Sequence, residues 1–338
     1  MKMKIYDILA ACLLLALSSC YKEMPFRGMQ TDPQLYFECL PGAQDTTVFW
    51  LRSTIPVNQL LVDRDIFNAV MTFKVNGEEV RLHRNAGQSS SFPENAYFTT
   101  KPLSGGDELE FYAEADGYEP ISAQTIIPQE LNDITLSSML IPSPNPDYYI
   151  AAIDDRASQN IGEIIPKFNV TFQDEPGVRN YYMVEVIETV YSDKGNLLRY
   201  DESAVYVVPR INTDMFEQAQ SDVILANYNS PWQTIQYDRT SDSRLVMFFD
   251  DKEFDGLKYT KEIMVNRHAS GYTTKYILRI YRVSEELYKY VKAWYTVRQA
   301  EFSDLPSSTP FMAYNNIKGG NGIFAGVTVF ESELIEFE

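Results

Sequence analysis

The sequence predicts a mainly all-β protein: an N-terminal immunoglobulin-like β-sandwich, then a larger β-sandwich domain carrying one α-helix in its C-terminal half. Three observations predict it. Short runs rich in Val, Ile, Thr, Tyr and Phe dominate at period two, turn residues break them at short intervals, and one stretch alone has a marked helical period. The 338 residues, 45% hydrophobic, 13% aromatic and 22% charged, have the composition of a globular chain and exclude a disordered tail, a collagen or a coiled coil. That length accommodates about two domains.

The first segment is an address. Lys2 and Lys4 form a basic n-region, and Ile8 to Leu17 is an apolar stretch too short to cross a hydrocarbon core of roughly 30 Å. Residues 1–19 therefore read as a signal peptide. The stretch ends in Leu17-Ser18-Ser19-Cys20, which resembles the bacterial lipobox and makes Cys20 the expected lipidation site. Two ester-linked chains and one amide-linked chain exceed the single chain that anchors only reversibly. Residues 20–33 are expected to be anchor and tether. Past them no segment approaches about 18 uninterrupted apolar residues, so membrane contact is expected through the N-terminal lipid only. Cys12 leaves with the signal and Cys20 takes lipid; Cys39 is then the third of 3 cysteines, which leaves no intrachain disulfide and suits a small buried strand residue.

Residues 34–129 are expected to form the immunoglobulin-like sandwich. Its strands are Leu35 to Cys39, Thr46 to Leu51, Met71 to Val75, Glu78 to Leu82, Ala96 to Thr100, Leu109 to Ala115 and Ile121 to Ile127. Asn76-Gly77 between the third and fourth marks a hairpin, because a type I′ turn needs positive φ at both central residues. Ile141-Pro142-Ser143-Pro144-Asn145-Pro146 reads as a linker or long crossing loop, since alternating prolines block helix and central strand alike. Residues 130–338 repeat the strand texture from Lys167 to Phe172, Tyr181 to Val190, Leu197 to Val208, Arg244 to Phe249, Tyr259 to Val265 and Lys275 to Val283. The helix is expected over residues 284–300. Ser284 suits its N-cap, Glu285 and Glu286 favour the positive end of its dipole, and Leu287, Tyr290, Val291, Trp294 and Val297 share one face.

Each chemistry-bearing motif in the sequence also has a plainer explanation. Asp251, Glu253, Asp255 and Glu262, with Gly256 at the sixth position, reproduce the ligand spacing of an EF-hand calcium loop. Strands are predicted on both sides where helices belong, so an acidic β-turn explains the same letters and no metal is expected. Gly319-Gly320-Asn321-Gly322 lacks the following Lys-Ser/Thr and helix of a phosphate cradle and reads as a tight loop. His83 and His268 lack metal-ligand spacing, and no nucleophile elbow is present; no cofactor and no catalytic activity are expected. Tyr148-Tyr149 and Tyr181-Tyr182 are the aromatic binding candidates, because neighbours on a strand point to opposite faces.

The lipobox, the first domain closing at Ala123-Gln124-Thr125-Ile126-Ile127-Pro128, the Phe249-Asp250-Asp251-Lys252-Glu253-Phe254-Asp255-Gly256 turn, the helix and the terminal Asn316 to Phe324 glycine motif together resemble the Bacteroidetes lipoproteins that carry domain of unknown function four-two-four-nine. The resemblance covers nearly the whole chain after the signal. It implies an outer-membrane lipoprotein, lipid-anchored and facing the cell exterior, associated with a TonB-dependent receptor in nutrient uptake. Tyr21-Lys22-Glu23 looks like a weak form of the corresponding surface-export signal. A net charge of -18 opposes nucleic-acid binding. The expected function is accessory binding for that receptor. The alternative is an adhesin or fimbrillin-like subunit, and the third reading is a glycan-active enzyme, which needs two carboxylates about 5 to 10 Å apart.

Overall fold

The structure is a computed structural model. It describes residues 32–43, 45–54, 65–66, 68–87, 94, 96–142, 164–191, 197–201, 224–227, 245–264, 273–302 and 314–337. All elements below lie in one unit, Gln34–Thr54 with Arg64–Glu338. In chain order the first strands are β1 (Leu35–Cys39), β2 (Thr47–Ser53), β3 (Val70–Val75), β4 (Glu78–Val80), β5 (His83–Arg84), β6 (Tyr97–Thr99), β7 (Glu108–Glu114) and β8 (Ile121–Ile126). Then follow β9 (Asn132–Pro142), β10 (Ile164–Gln173), β11 (Tyr181–Tyr191), β12 (Leu197–Asp201), β13 (Ile224–Asn227), β14 (Leu245–Asp250), β15 (Lys258–Met264) and β16 (Thr273–Val283). Helix α1 (Glu285–Phe302) and strands β17 (Asn321–Phe324), β18 (Val327–Glu331) and β19 (Ile335–Glu336) complete the order.

Among the described residues the chain is all-β with one helix. Two sheets, ordered β17-β1-β2-β6-β5 and β4-β3-β7-β8, make the first sandwich. Strict alternation along β7, exposed and buried by turns, sends Leu109, Phe111 and Ala113 inward. Phe37, Phe49, Phe73, Phe111 and Phe324 are all buried in one cluster, and the Phe37 and Phe111 rings stack with centroids 3.8 Å apart. Each such ring stabilises the fold by about 1.5–3 kcal/mol relative to exposure. The hairpin between β3 and β4 forms as the sequence requires, with φ of 52° at Asn76 and 80° at Gly77. Cys39 is buried, and burial pushes its thiol pKa up.

Strand β17 ties the end of the chain to its beginning. It runs parallel to β1, with Tyr36 opposite Asn321 and Cys39 opposite Phe324, so Phe324 enters the first core.

The second assembly places the sheet β15-β10-β9 and a seven-stranded sheet, whose main path is β13-β14-β11-β16-β18 with β12 on β11 and β19 on β16, on either side of one core. Phe168, Val170 and Phe172 from β10 meet Tyr182, Val184, Leu278 and Ile280 there. The opposite face of β11 and β16 is covered by α1: Leu287, Tyr288, Tyr290 and Val291 pack with Met183, Tyr281 and Val283, together with Ile323 of β17.

The predicted linker differs most. Its Ile141-Pro142 portion belongs to β9, an 11-residue strand paired antiparallel with β10. Proline is tolerated because β9 is the outer strand of its sheet and Pro142 its last residue, the setting in which a missing N–H breaks no ladder bond. Prolines 144 and 146 lie outside the described residues, as do Cys20, Tyr148 and Tyr149, residues 202–208 and the side chains of Trp294 and Val297. Ser284 does precede α1, yet its Oγ is buried without a hydrogen-bond partner; its backbone binds instead, N–H to the Gly326 carbonyl at 3.0 Å.

Candidate functional site

The acidic turn is built by two loops that lock together. After β14, Phe254 N donates to the Asp251 carbonyl and Leu257 N to the Phe254 carbonyl, each at 2.8 Å, a tight double turn into β15. Facing it, residues 174–180 link β10 to β11 through Asp174-Glu175-Pro176-Gly177. Asp174 and Asp251 are both 1% exposed. One carboxylate oxygen from each of Asp174, Asp251 and Asp255 lies within 4.8 Å of the other two.

Most of these oxygens are already engaged. Asp174 Oδ1 accepts from Asn180 Nδ2 at 3.1 Å and from the Tyr182 hydroxyl, and Asp174 Oδ2 accepts from Gly256 N at 2.8 Å. Asp255 Oδ1 accepts from Gly177 N at 2.7 Å, and Asp251 Oδ2 from Asn180 N at 2.6 Å. Asp251 Oδ1 accepts no hydrogen bond, but Arg179 Nε lies 3.3 Å away. Arg179 also donates to Asp250 at 2.6 Å. Asn180 is the hub, since its Oδ1 accepts from buried Arg282, which also pairs with Glu175 at 2.8 Å. Satisfied on nearly every side, such a network fixes loop geometry.

Of the EF-hand set, the structure gathers Asp251 and Asp255 with Asp174, a residue outside that spacing. Glu253 is exposed on the turn. Glu262 belongs to β15, where it ion-pairs with Lys167 of β10 at 2.6 Å. The strands flanking the turn, expected from sequence, are the physical reason: β15 leads straight away from Gly256 and carries Glu262 along the sheet. Sequence reading missed Asp174, Asn180 and Arg282. Its usable signals were the Asp-Glu-Pro-Gly turn after β10 and an arginine in an otherwise inward position of β16.

Burial above all, with Asp174 beside it, raises the Asp251 pKa above its ordinary 3.8. The folded chain therefore holds this proton more tightly than the unfolded chain. The contribution to stability is complete below the unfolded value and is lost as pH rises through the folded one. Asp251→Asn is thus expected to gain stability relative to wild type between about pH 4 and about pH 7, read by urea unfolding at both. Parallel stabilities at the two pH values would refute it.

Tyr181 and Tyr182 separate as neighbours on a strand must. Tyr182 is buried in the second core. Tyr181 faces α1, its ring 4.7 Å from Tyr288 and its hydroxyl donating to Glu285 at 3.1 Å; burial and Glu285 push its pKa up to about 12. It borders a cleft of about 690 Å³ between Pro128 and Gln129 on one side and Glu175, Arg282 and the start of α1 on the other.

Fold and site together define an all-β protein of sandwich type in which one strand from the end of the chain completes the first sheet and a polar lock braces the second. The sequence matches the family described as a domain of unknown function (DUF4249) over residues 22–333, and the chain belongs to that family. No curated protein matches it.

Proposed function

We propose that this protein is a lipid-anchored, surface-facing binding protein of the outer membrane, accessory to a TonB-dependent receptor in nutrient uptake. The observation that carries the reading is Leu17-Ser18-Ser19-Cys20 behind a basic and apolar leader. Among the described residues no helix is long and apolar enough to cross a membrane. The receptor partnership rests on the resemblance to lipoproteins associated with such receptors.

Two measurements test it. Labelled palmitate is expected to enter the wild-type chain and not Cys20→Ala, which should leave the membrane fraction. Capture of the tagged protein from outer membranes in mild detergent is expected to bring a TonB-dependent barrel with it. An unlabelled wild type would remove the anchor, and a chain captured alone or as a ladder of itself would favour the adhesin reading.

A further inference from the structure

The outward face of the β4-β3-β7-β8 sheet holds a groove of about 600 Å³, within the roughly 300–1,000 Å³ of small-molecule sites. Its floor is a lattice set by strand register. Thr72, Tyr112 and Ser122 form one cross-strand row, and Lys74, Glu110 and Gln124 form the next. Lys318 extends the first row, because its backbone and that of Ser122 exchange two hydrogen bonds of 2.8 and 3.0 Å. Tyr112 is 39% exposed, and the residues directly opposite it are the small Thr72 and Ser122, which leave its ring uncovered.

The polar side chains around that ring are uncommitted. Among the described residues Lys74, Glu110, Gln124 and Lys318 make no side-chain hydrogen bond or ion pair. Two nearby amides are engaged. Asn76 donates to Asp107 at 2.8 Å, and Asn316, also in the groove lining, is bonded through both side-chain atoms to the Phe324 backbone. The lining carries Lys74 and Lys318 against Glu110, and Glu114, just beyond it, accepts from the Tyr112 hydroxyl at 2.9 Å.

An exposed aromatic ring among free donors and acceptors of both signs suits a ligand with a flat apolar face and many hydroxyls. We infer that this groove is a saccharide subsite: a neutral sugar ring lies on Tyr112, and Lys74, Glu110, Gln124 and Lys318 hydrogen-bond its hydroxyls. The inference rests on the reading of the chain as a binding protein and supplies its ligand class. A nucleotide or other polyanion would meet Glu110 beside the two lysines, and a lipid tail would have to bury the charged Lys74, Glu110 and Lys318 without partners.

The test uses the full-length protein in mild detergent on a printed panel of neutral cello-, malto-, xylo-, manno- and chito-oligosaccharides. Wild type is expected to bind at least one series. Tyr112→Ala should weaken that binding about tenfold, equivalent to about 1.4 kcal/mol, while Tyr112→Phe keeps the stacking surface and most of the affinity. The melting temperature of Tyr112→Ala should stay near wild type, because the ring lies on the surface. Binding to no sugar, or binding unchanged in Tyr112→Ala, overturns the inference. A captured receptor with no sugar bound would sink this inference alone, and sugar binding without a receptor would sink the uptake reading alone.

Discussion

Gly322→Ala is expected to destabilise the protein by about 3–5 kcal/mol, in the range reserved for a few severe mechanisms. Gly322 sits in β17 at a φ of 125°, and a Cβ there would lie 1.9 Å from the Phe37 carbonyl oxygen and 2.9 Å from the Phe37 amide nitrogen. Those are backbone atoms of β1, whose side chains hold the first core, so they cannot swing aside as a flexible side chain would. A control separates strain from collision. Gly77 also has positive φ, at 80°, but nothing lies within 4 Å of its Cβ position, so Gly77→Ala should cost only about 1–2 kcal/mol. Urea unfolding of both variants decides the matter, and equal losses would mean that the close approach of β17 to β1 is wrong. The larger loss has a structural reading too: if β17 leaves β1, Phe324 leaves the aromatic cluster around Phe37 and Phe111.

The second large effect is expected at the acidic lock. Asp174→Ala removes the acceptor for three donors at once, Asn180 Nδ2, the Tyr182 hydroxyl and Gly256 N. A buried donor left unpaired costs about 1–3 kcal/mol, and these three act as one unit, so the total is expected near 3–5 kcal/mol rather than their full sum. Tyr182→Phe removes one donor and leaves Asp174 its other partners; it should cost about 1 kcal/mol. The ordering is the test, by equilibrium unfolding. If Tyr182→Phe matches Asp174→Ala, the hydroxyl and not the carboxylate organises the loops. Loss of the lock should also free the turn at 251–256, since Gly256 N is held there by Asp174 alone among the described hydrogen bonds.

Local order was legible because each signal lies within a few residues of its consequence. Period-two alternation marked Leu109 to Ala115 as the strand that became β7, Asn76-Gly77 specified its turn, and Ser284 with the Leu287, Tyr290 and Val291 stripe located the helix. Even the acidic turn was found as a turn between strands. Strand β9 escaped because prolines at its end outweighed the alternation of Ile134 and Leu136, and only its place at a sheet edge makes Pro142 acceptable.

By itself, then, the sequence determined the β class, the helix after Ser284 and the hairpin, all local properties of composition, period and motif. Tertiary structure alone decided which distant segments meet. No spacing foretold that Asn321 to Phe324 would pair with Tyr36 to Cys39, that Asp174 would stand among Asp251 and Asp255 while Glu262 went to Lys167, or that Tyr112 would lie open between Thr72 and Ser122. Those contacts depend on how sheets stack and in which register they pair, and both are set by burying one common core rather than by any residue's near neighbours.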